Sequence, residues 1–364
     1  MYNTSIKILN RIIDKGYRAY IVGGYPRDLY LNRKSVDIDI CTNASPKELK
    51  EIFNDIILPN DAYGSVSLVY NNIRFEITTF RKEIKYENNR LPVKIKYINN
   101  LLDDLKRRDF TINTLCMDNS GNVIDLLNGR ADIDNKIIRI VGNSRYKLKE
   151  DCLRILRAIR FATILDFELD DNLIKAIKRN GYLLKKLSYF RKKEELDKIF
   201  SSSNVRKGIN LIKELGLDKP LQLSNLDNIV ITTSIIGIWA QLNVLDIYSF
   251  TNNERELILK INELLNSDIL DNYNLYKYGL YLSSIAGEIK EINKKTIINK
   301  YNELPIHNNS EINISVKKIC ELLNKEPGGF LKEILSDIEM KIVEGQLNNE
   351  LEDIKNYILT KYTT

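Results

Sequence analysis

Two aspartates separated by a single residue are the clearest chemical signal in this sequence. Asp37 and Asp39 lie in the run SVDIDICT, whose alternation of polar and apolar residues predicts a β-strand. Because strand side chains alternate between two faces, both carboxylates would share one face and repel each other. A hard divalent cation such as Mg²⁺, shared with substrate phosphates, would relieve that repulsion. The alternative is a pair of solvent-exposed acids on an edge strand.

A glycine pair and an arginine lie just upstream, in VGGYPRDLYL. The apolar residues before the glycines predict a buried strand, and the residues after them predict a helix. Glycines at such a junction, Gly24 among them, let backbone N–H groups approach a phosphate closely. Arg27 could then clamp phosphate oxygens. A tight turn with a surface Arg27–Asp28 pair is the alternative, but the nearby aspartates favour phosphate binding.

Two further segments could complete such a site. Glu76, in the alternating run IRFEITTFR, would supply a third carboxylate from a neighbouring strand, or would pair with Arg74 at the surface. In RRDFTINTL, Arg108 could contact a triphosphate and Asp109 could accept hydrogen bonds from ribose hydroxyls. Asp109 could also cap a helix, which would leave Arg108 free, and Asn113 could brace the loop.

Four charged residues recur at intervals of three in KEDCLRILRAIRFAT, namely Asp151, Arg154, Arg157 and Arg160. On a helix this spacing places neighbouring members side by side. A solvated charged stripe is one interpretation. An acid beside an arginine also offers an acceptor and a donor, which is what contact with the pairing edge of a nucleobase requires.

Length and composition favour a protein of several compact domains. The chain has 364 residues, of which 29% are charged and 43% hydrophobic, a composition typical of globular proteins. The net charge of +6 is too small for a uniformly basic surface, so a polyanionic partner would be held by local clusters. Candidate clusters are Lys185-Lys186 and Arg191-Lys192-Lys193, although each could be an ordinary solvated helix face.

Cysteine and histidine usage argues against a metal–thiolate site. The four cysteines are far apart and the only histidine is His307, so no zinc site of recognisable spacing is present. Reduced cytosolic thiols are expected. The sequence begins without a signal peptide pattern, and the apolar stretch 229–242 predicts a buried helix rather than a membrane span. We therefore expect a cytoplasmic protein.

The hydrophobic pattern changes near residue 135. Before it, strand-like and helix-like segments alternate, including a helix opened by Ser45-Pro46 and a hairpin around Asn71-Asn72. From Asp151 onward the helical pattern is nearly continuous. The expected fold class is α+β, with a small mixed-sheet head followed by all-helical domains.

Taken together and in this order, these motifs resemble the class II tRNA nucleotidyltransferases, the family of CCA-adding enzymes and bacterial poly(A) polymerases. The resemblance includes FRKEIKYENNRLP, DLLNGRADI and RIVGNSRYKLKEDCLRILRAIRF, and the later segments EPGGFLKEIL and VEGQLNNE look like those of the short bacterial enzymes. It implies a DNA polymerase β-like nucleotidyltransferase head and helical neck, body and tail domains. The boundaries we expect are 1–135, 136–200, 201–268 and 269–364.

The resemblance also implies roles for single residues. Asp37 and Asp39 match metal-binding catalytic carboxylates, and Glu76 matches the third catalytic acid. The residues predicted to bind the nucleotide are Gly24, Arg27, Arg108, Asp109, Asp151, Arg154, Arg157 and Arg160. Within this set, Asp151 and Arg154 match a protein template that pairs with incoming cytosine or adenine.

The implied activity is template-independent addition of CCA to the 3′ end of tRNA from CTP and ATP, with Mg²⁺ as cofactor. Two metal ions would promote nucleotidyl transfer with release of pyrophosphate. The partner would be tRNA, held by its acceptor and T arms, with no membrane, and the enzyme would be a monomer or homodimer. CC-addition, A-addition and poly(A) synthesis are the alternatives.

Several positions depart from the family pattern. Asn88 and Leu91 stand where the family usually has an acid and a histidine in a mobile loop, which bears on addition of the terminal A. Phe190 stands where a glutamate is usual, which would weaken a contact that braces the neck helices.

Overall fold

The computed structural model describes residues 2–35, 37–53, 56–60, 64–71, 73–87 and 91–363. The chain divides into two compact units, the first ending at Gln222 and the second beginning at Leu223. The first unit combines a β-sheet with helices, and the described elements of the second are all helical. The expected α+β class is therefore confirmed, whereas the four domain boundaries stay predictions.

A mixed β-sheet forms the centre of the first unit. The strands of the first unit are β1 (Ala19–Val22), β2 (Asp39–Thr42), β3 (Ile56–Asn60), β4 (Ser65–Tyr70), β5 (Ile73–Thr79), β6 (Arg81–Glu87), β7 (Leu91–Tyr97), β8 (Cys116–Met117), β9 (Val123–Ile124), β10 (Ile137–Ile138) and β11 (Glu168–Leu169). The main sheet has the order β3-β4-β5-β2-β1-β8-β9, while β6 with β7 and β10 with β11 form separate pairs. Strand β1 is antiparallel to β2 and β8, and β2 is parallel to β5.

Helices cover the sheet and continue beyond it. They are α1 (Tyr2–Ile13), α2 (Gly24–Tyr30), α3 (Pro46–Ile52), α4 (Leu101–Leu105), α5 (Gly129–Asp134), α6 (Ser144–Glu150), α7 (Leu153–Leu165), α8 (Asp171–Asn180), α9 (Tyr189–Phe200), α10 (Val205–Glu214) and α11 (Asp218–Leu221). Ile8, Leu9 and Ile12 of α1 lie on one helical face. They share a buried core with Ile21 and Ile40 of the central strands.

Local sequence signals position two elements of the first unit. Ser45 caps α3 with a reciprocal capping box to Glu48, and Pro46 occupies the first turn, as predicted. The predicted hairpin is also confirmed, because β4 and β5 pair from Tyr70 opposite Ile73. Asn71 adopts φ 52° in its turn, while Asn72 lies outside the described residues.

The strand that carries the aspartate pair is shorter than predicted. Strand β2 begins at Asp39, so Asp37 precedes it rather than sharing its regular alternation. The pairing of β2 with β1 also starts at Asp39, which lies opposite Val22 at the end of β1. The sequence pattern therefore identified the strand but placed its start too early.

The second unit consists of helices α12 (Ile235–Ala240), α13 (Asn252–Leu265), α14 (Asn272–Ile289), α15 (Lys294–Asn302), α16 (Val316–Leu323), α17 (Phe330–Val343) and α18 (Leu351–Tyr362). Ile338 and Ile342 of α17 share a fully buried core with Ile354 and Ile358 of α18. Within the apolar stretch 229–242, only α12 is helical. Of the helices described here, none has both the length and the hydrophobicity needed to cross a bilayer.

Candidate active site

A glycine turn joins β1 to α2 at the point where β2 begins. Gly23 adopts φ 87°, a backbone conformation that favours glycine. A Cβ atom at Gly23 would lie 3.5 Å from Oδ2 of Asp39 and 3.8 Å from a guanidinium nitrogen of Arg108. Gly24 instead opens α2 in ordinary helical geometry. The conformational requirement therefore falls on Gly23, which sequence reasoning did not single out, although it is the first residue after the strand.

Three carboxylates lie close together where β2 begins, beside the central strands of the main sheet. Glu76 of β5 is the register partner of Asp39 across the parallel pair, so the two side chains project on the same side. All three of Asp37, Asp39 and Glu76 are exposed. The pKa of Asp39 is raised because protein atoms desolvate the carboxylate and because Glu76 and Asp37 repel its charge, against the attraction of Arg108 and Arg157. The predicted third acid is therefore placed beside the pair.

These carboxylates fit a divalent cation whose ligands come partly from the protein and partly from the substrate. Among the described residues, no group of three or more histidine, cysteine, aspartate or glutamate side chains is arranged to hold a metal ion by itself. Mg²⁺ is usually held by one or two carboxylates together with substrate phosphates. The pKa of Asp39 is raised first by desolvation and then by repulsion from Glu76 and Asp37, so its charged form is disfavoured, and a bound cation would stabilise that form.

The carboxylate pair opens into a cleft of about 450 Å³ with walls rich in charge. The cations that line it are Arg27, Lys34, Arg108, Arg157 and Arg160, and the acids are Asp28, Asp37, Asp39 and Asp109. Gly23 and Gly24 form part of the wall. A polyphosphate bound to cations would fit this combination of guanidinium groups and carboxylates.

A buried hydrogen-bond network holds three of these side chains in place. Arg27 donates from Nη1 to Oδ1 of Asn113, and Asn113 donates from Nδ2 to Oδ1 of Asp109 at 3.1 Å. Arg157 donates from Nε to Oδ2 of Asp109 at 2.8 Å, with a second short bond from Nη2. The network orients Arg27 and Arg157 toward the cleft and confirms that Asn113 braces the loop.

Asp109 is a largely buried acid at the centre of that network. Burial alone would raise its pKa, but the charge of Arg157 and the hydrogen bonds from Asn113, Arg157 and the Phe110 N–H outweigh burial and lower the pKa well below its usual range. The 3₁₀ turn Thr111–Asn113 has Phe110 at its start without a side-chain cap. The alternative role of Asp109 as a helix cap was therefore wrong.

The Arg160 guanidinium is held by a partner that sequence reasoning missed. Glu195 of α9 forms an ion pair with Arg160 at 3.2 Å, with both side chains largely buried, and Arg160 also stacks over the Phe161 ring at 4.5 Å. Phe190, which replaces the usual glutamate, is 56% exposed. Within the described residues, α9 is thus braced to α7 through Glu195, which lies 35 positions from Arg160 and could not be paired with it from spacing.

Asp151 and Arg154 are not among the residues that line the cleft. Helix α7 begins at Leu153, and Asp151 is the extended residue that ends α6, so the prediction of one helical row was wrong at its first member. Asp151 accepts a hydrogen bond from the Leu153 N–H at 3.1 Å. Arg154 donates to the carbonyl oxygens of Arg107 at 3.0 Å and Lys147 at 3.3 Å.

The predicted basic run on α9 is only partly at the surface. Lys192 is 1% exposed, and its ammonium group lies 4.0 Å from the centroid of the Tyr189 ring. Lys193 is buried and pairs with Asp197 at 2.9 Å. These two lysines are therefore packing residues, and the expectation that they contact phosphates was wrong.

Comparisons with known proteins match this architecture along the chain. A family model described as the Poly A polymerase head domain matches residues 19–139. Two further models match residues 166–225, as an RNA-binding segment of polymerase A, and residues 242–358, as domain 2 of tRNA nucleotidyltransferases.

Relatives of known name cover nearly the whole chain. It is 35% identical to the CCA-adding enzyme of Lactococcus lactis subsp. lactis over 94% of this chain and 93% of that enzyme. It is 31% identical to the CCA-adding enzyme of Streptococcus uberis, over 98% of this chain and 96% of that enzyme. The crystal structure of the Bacillus stearothermophilus CCA-adding enzyme in complex with CTP matches with a TM-score of 0.84 and 28% identity, covering 99% of this chain and 97% of that one. This chain therefore belongs to the family of the CCA-adding enzymes.

Proposed function

We propose that this protein adds CCA to the 3′ end of tRNA from CTP and ATP without a nucleic-acid template. The observation that carries the proposal is that Asp37 and Asp39 line one cleft together with Arg108 and Arg157, while Glu76 lies beside Asp39 on the neighbouring strand. Nucleotidyl transfer depends mainly on positioning and charge stabilisation. The cleft offers both in a chain that belongs to this enzyme family.

The proposed reaction divides its tasks between the arginines and the carboxylates. Arg108, Arg157 and Arg160 would bind the triphosphate, and Arg27 would hold its phosphate oxygens beside the glycine turn. Asp37 and Asp39 would hold Mg²⁺, with Glu76 supporting them. When bound there, Mg²⁺ would lower the pKa of the RNA 3′-hydroxyl and stabilise the charge that develops on the leaving pyrophosphate.

A single incubation tests this activity. A tRNA that ends before C74 is incubated with CTP and ATP, and the product length is measured on a sequencing gel. The proposal predicts extension by three nucleotides. A product that stops after two, or a long A tail, would instead identify a CC-adding enzyme or a poly(A) polymerase.

Nucleotide incorporation is expected to require a divalent metal ion. Removing divalent ions with EDTA is expected to reduce nucleotide incorporation to background, and added Mg²⁺ should restore it. Because cation binding relieves the repulsion at Asp39, Mg²⁺ should also raise the melting temperature of the wild type by mass action. Differential scanning fluorimetry of wild type and Asp39→Asn measures this separately from activity. An equal rise in both proteins would place the stabilising ion elsewhere.

Recognition of the incoming base would require the Arg154 side chain to change its hydrogen-bond partners. For Asp151 and Arg154 to pair with a nucleobase, Arg154 must exchange the carbonyl oxygens of Arg107 and Lys147 for the base. The donor is a charged guanidinium, so each of these bonds contributes about 1.5–3 kcal/mol, and Arg154 also lies 3.7 Å from a carboxylate oxygen of Glu150. A bound nucleotide must therefore supply comparably strong contacts to displace them.

Substitution of Arg154 tests this assignment. Arg154→Ala is expected to change the ratio of kcat/KM for CTP and ATP by roughly 10-fold or more, because bidentate base contacts discriminate by about 1–3 kcal/mol. Lys178→Ala, at an exposed position on α8, is the matched control. An unchanged ratio, or an equal rise of KM for both nucleotides, would remove Arg154 from base selection.

Partners and organisation follow from the same proposal. The first unit would contain the head (1–135) and neck (136–200), and the body (201–268) and tail (269–364) would hold the acceptor and T arms of tRNA by shape and phosphate contacts. We infer a cytoplasmic enzyme that works as a monomer or homodimer. Asn88 lies outside the described residues, and Leu91 opens β7, so their effect on addition of the terminal A stays a prediction.

A further inference from the structure

Asp104 of α4 is a fully buried acid that the proposed reaction does not use. None of its side-chain surface is exposed, and it is not among the residues that line the active-site cleft. A buried carboxylate is costly unless cations or hydrogen-bond donors compensate its charge. The partners of Asp104 therefore indicate its role.

One carboxylate oxygen of Asp104 binds a backbone N–H group and a neighbouring side chain. Oδ1 accepts a hydrogen bond from the Arg81 N–H at 3.1 Å and another from Nε of Arg107 at 2.9 Å. Arg107 also lies 3.9 Å from a carboxylate oxygen of Glu83. These contacts fix the Asp104 carboxylate relative to the start of β6, so it occupies a defined position in the protein interior.

The other oxygen of Asp104 faces Arg108, which lines the active-site cleft. Oδ2 lies 3.5 Å from Nη2 of Arg108, and within the residues that the structure describes it has no hydrogen-bond partner. Nη1 of Arg108 lies near the glycine turn, 3.8 Å from the position that a Cβ atom of Gly23 would take. The guanidinium group therefore has one nitrogen beside the buried acid and the other beside the turn.

The charge of Asp104 attracts the Arg108 guanidinium more strongly than does the charge of Asp39. Burial by itself lowers the pKa of Arg108, but the attraction of Asp104, and less strongly that of Asp39, raises the pKa overall. Asp39 is a predicted metal ligand. The stronger attraction of Asp104 therefore keeps the guanidinium from neutralising Asp39 in place of the metal.

We propose that Asp104 is a positioning residue, which holds the Arg108 guanidinium where it binds the triphosphate; this inference rests on the proposed function. A planar guanidinium contacts phosphate through directed N–H groups, so its orientation matters as well as its charge. Helix α4 ends at Leu105, so regular helical packing does not fix the Arg108 side chain. Because Asp104 cannot reach the nucleotide, it acts only through Arg108.

Asp104→Asn, which keeps the size of the side chain and removes its charge, tests the proposal. KM for CTP and KM for ATP are expected to rise about 10-fold or more, because a displaced guanidinium loses its aligned phosphate contacts. The two rises should be equal, since both nucleotides carry the same triphosphate, and the Kd of the tRNA complex should stay within about twofold of wild type. Asp103→Asn, an exposed neighbour on the same helix, is the matched control.

A double substitution shows whether the effect passes through Arg108. In the Arg108→Gln background, which has no guanidinium to position, adding Asp104→Asn should change KM for CTP by less than about twofold. Asp104→Glu keeps the charge but moves the carboxylate by one methylene, so it should raise KM for CTP by a smaller factor than Asp104→Asn. The glutamate variant carries the test if the asparagine variant does not fold.

A purely structural role for Asp104 would give a different result. It would lower the folded fraction, and with it the apparent kcat, while leaving KM for CTP unchanged. That result would overturn the proposal, as would a rise of KM for one nucleotide alone, an equal rise in Asp103→Asn, or additive effects in the double variant. An unchanged KM in Asp104→Glu, when Asp104→Asn does not fold, would overturn it as well.

Failure of the wild type to extend tRNA would instead contradict the proposed function. The Kd for CTP, measured by isothermal titration calorimetry without tRNA, would still test Asp104, because nucleotide binding requires no turnover. The proposal predicts weaker CTP binding by Asp104→Asn than by the wild type and by Asp103→Asn. Equal binding by all three proteins would overturn it.

Discussion

Replacement of Asp39 by asparagine is expected to lower kcat for nucleotide incorporation by at least roughly 10³-fold, because a charge that holds the metal contributes several kcal/mol to the transition state. The change keeps the size of the side chain and removes only its charge. The Kd of the tRNA complex should stay within about twofold of wild type, because phosphate contacts with tRNA do not involve this acid. Single-turnover incorporation of CTP measures the first quantity, and fluorescence anisotropy measures the second.

The stability of Asp39→Asn distinguishes a catalytic role from a structural one. The folded state raises the pKa of Asp39, so it disfavours the ionised form, and the metal-free wild type loses stability as the pH rises through the ordinary aspartate pKa and then the raised one. At neutral pH the asparagine variant should therefore be at least as stable as the metal-free wild type. Asp14→Asn, at an exposed position, is the control. A variant that retains more than a tenth of the activity, or that unfolds more easily, would contradict this role.

Replacement of Asp109 by asparagine is expected to destabilise the first unit by about 2–3 kcal/mol. It leaves the Arg157 guanidinium without its carboxylate partner and disturbs the bond from Asn113, and a broken buried ion pair is costly. We place the value below the usual range because Arg157 is one-third exposed. Urea unfolding at pH 7 measures the loss, with Asp103→Asn, whose pair with Lys106 is exposed, as the control.

The pH dependence of that loss has a defined sign. Because folding lowers the pKa of Asp109, its charge stabilises the folded state fully above the ordinary aspartate pKa of about 3.9. This contribution disappears as the pH falls through the lower, folded-state value. The difference between wild type and Asp109→Asn should therefore be constant from pH 6 to pH 8 and should shrink in acid. A difference that grows in acid would contradict the assignment of a stabilising charge to Asp109.

Local features of the sequence predicted much of the fold because they depend on neighbouring residues. The cap at Ser45 and the turn at Asn71 are set by side chains within a few positions. The start of β2 at Asp39 was placed less well, because strand length depends on pairing with β1. Alternation along a sequence predicts which residues share a face, but it does not determine where a partner strand ends.

Contacts between distant residues determined which parts of the site were missed. Arg154 donates a hydrogen bond to the carbonyl oxygen of Arg107, and Arg160 is paired with Glu195. Neither partner is within one helical turn, so spacing could not reveal it. The burial of Lys192 was missed for a related reason. Its position in a basic run predicted an exposed side chain, but packing against Tyr189 buries it.

One cleft built around Asp39 is proposed to add both cytidine and adenosine in a fixed order. Three tRNAs, ending before C74, after C74 and after C75, are incubated with CTP and ATP, separately and together, and their 3′ ends are sequenced. We predict C addition to the first two, A addition to the third, complete CCA with both nucleotides, and no addition by Asp39→Asn. Sustained activity of Asp39→Asn, or a wild-type product that lacks the terminal A, would contradict the account.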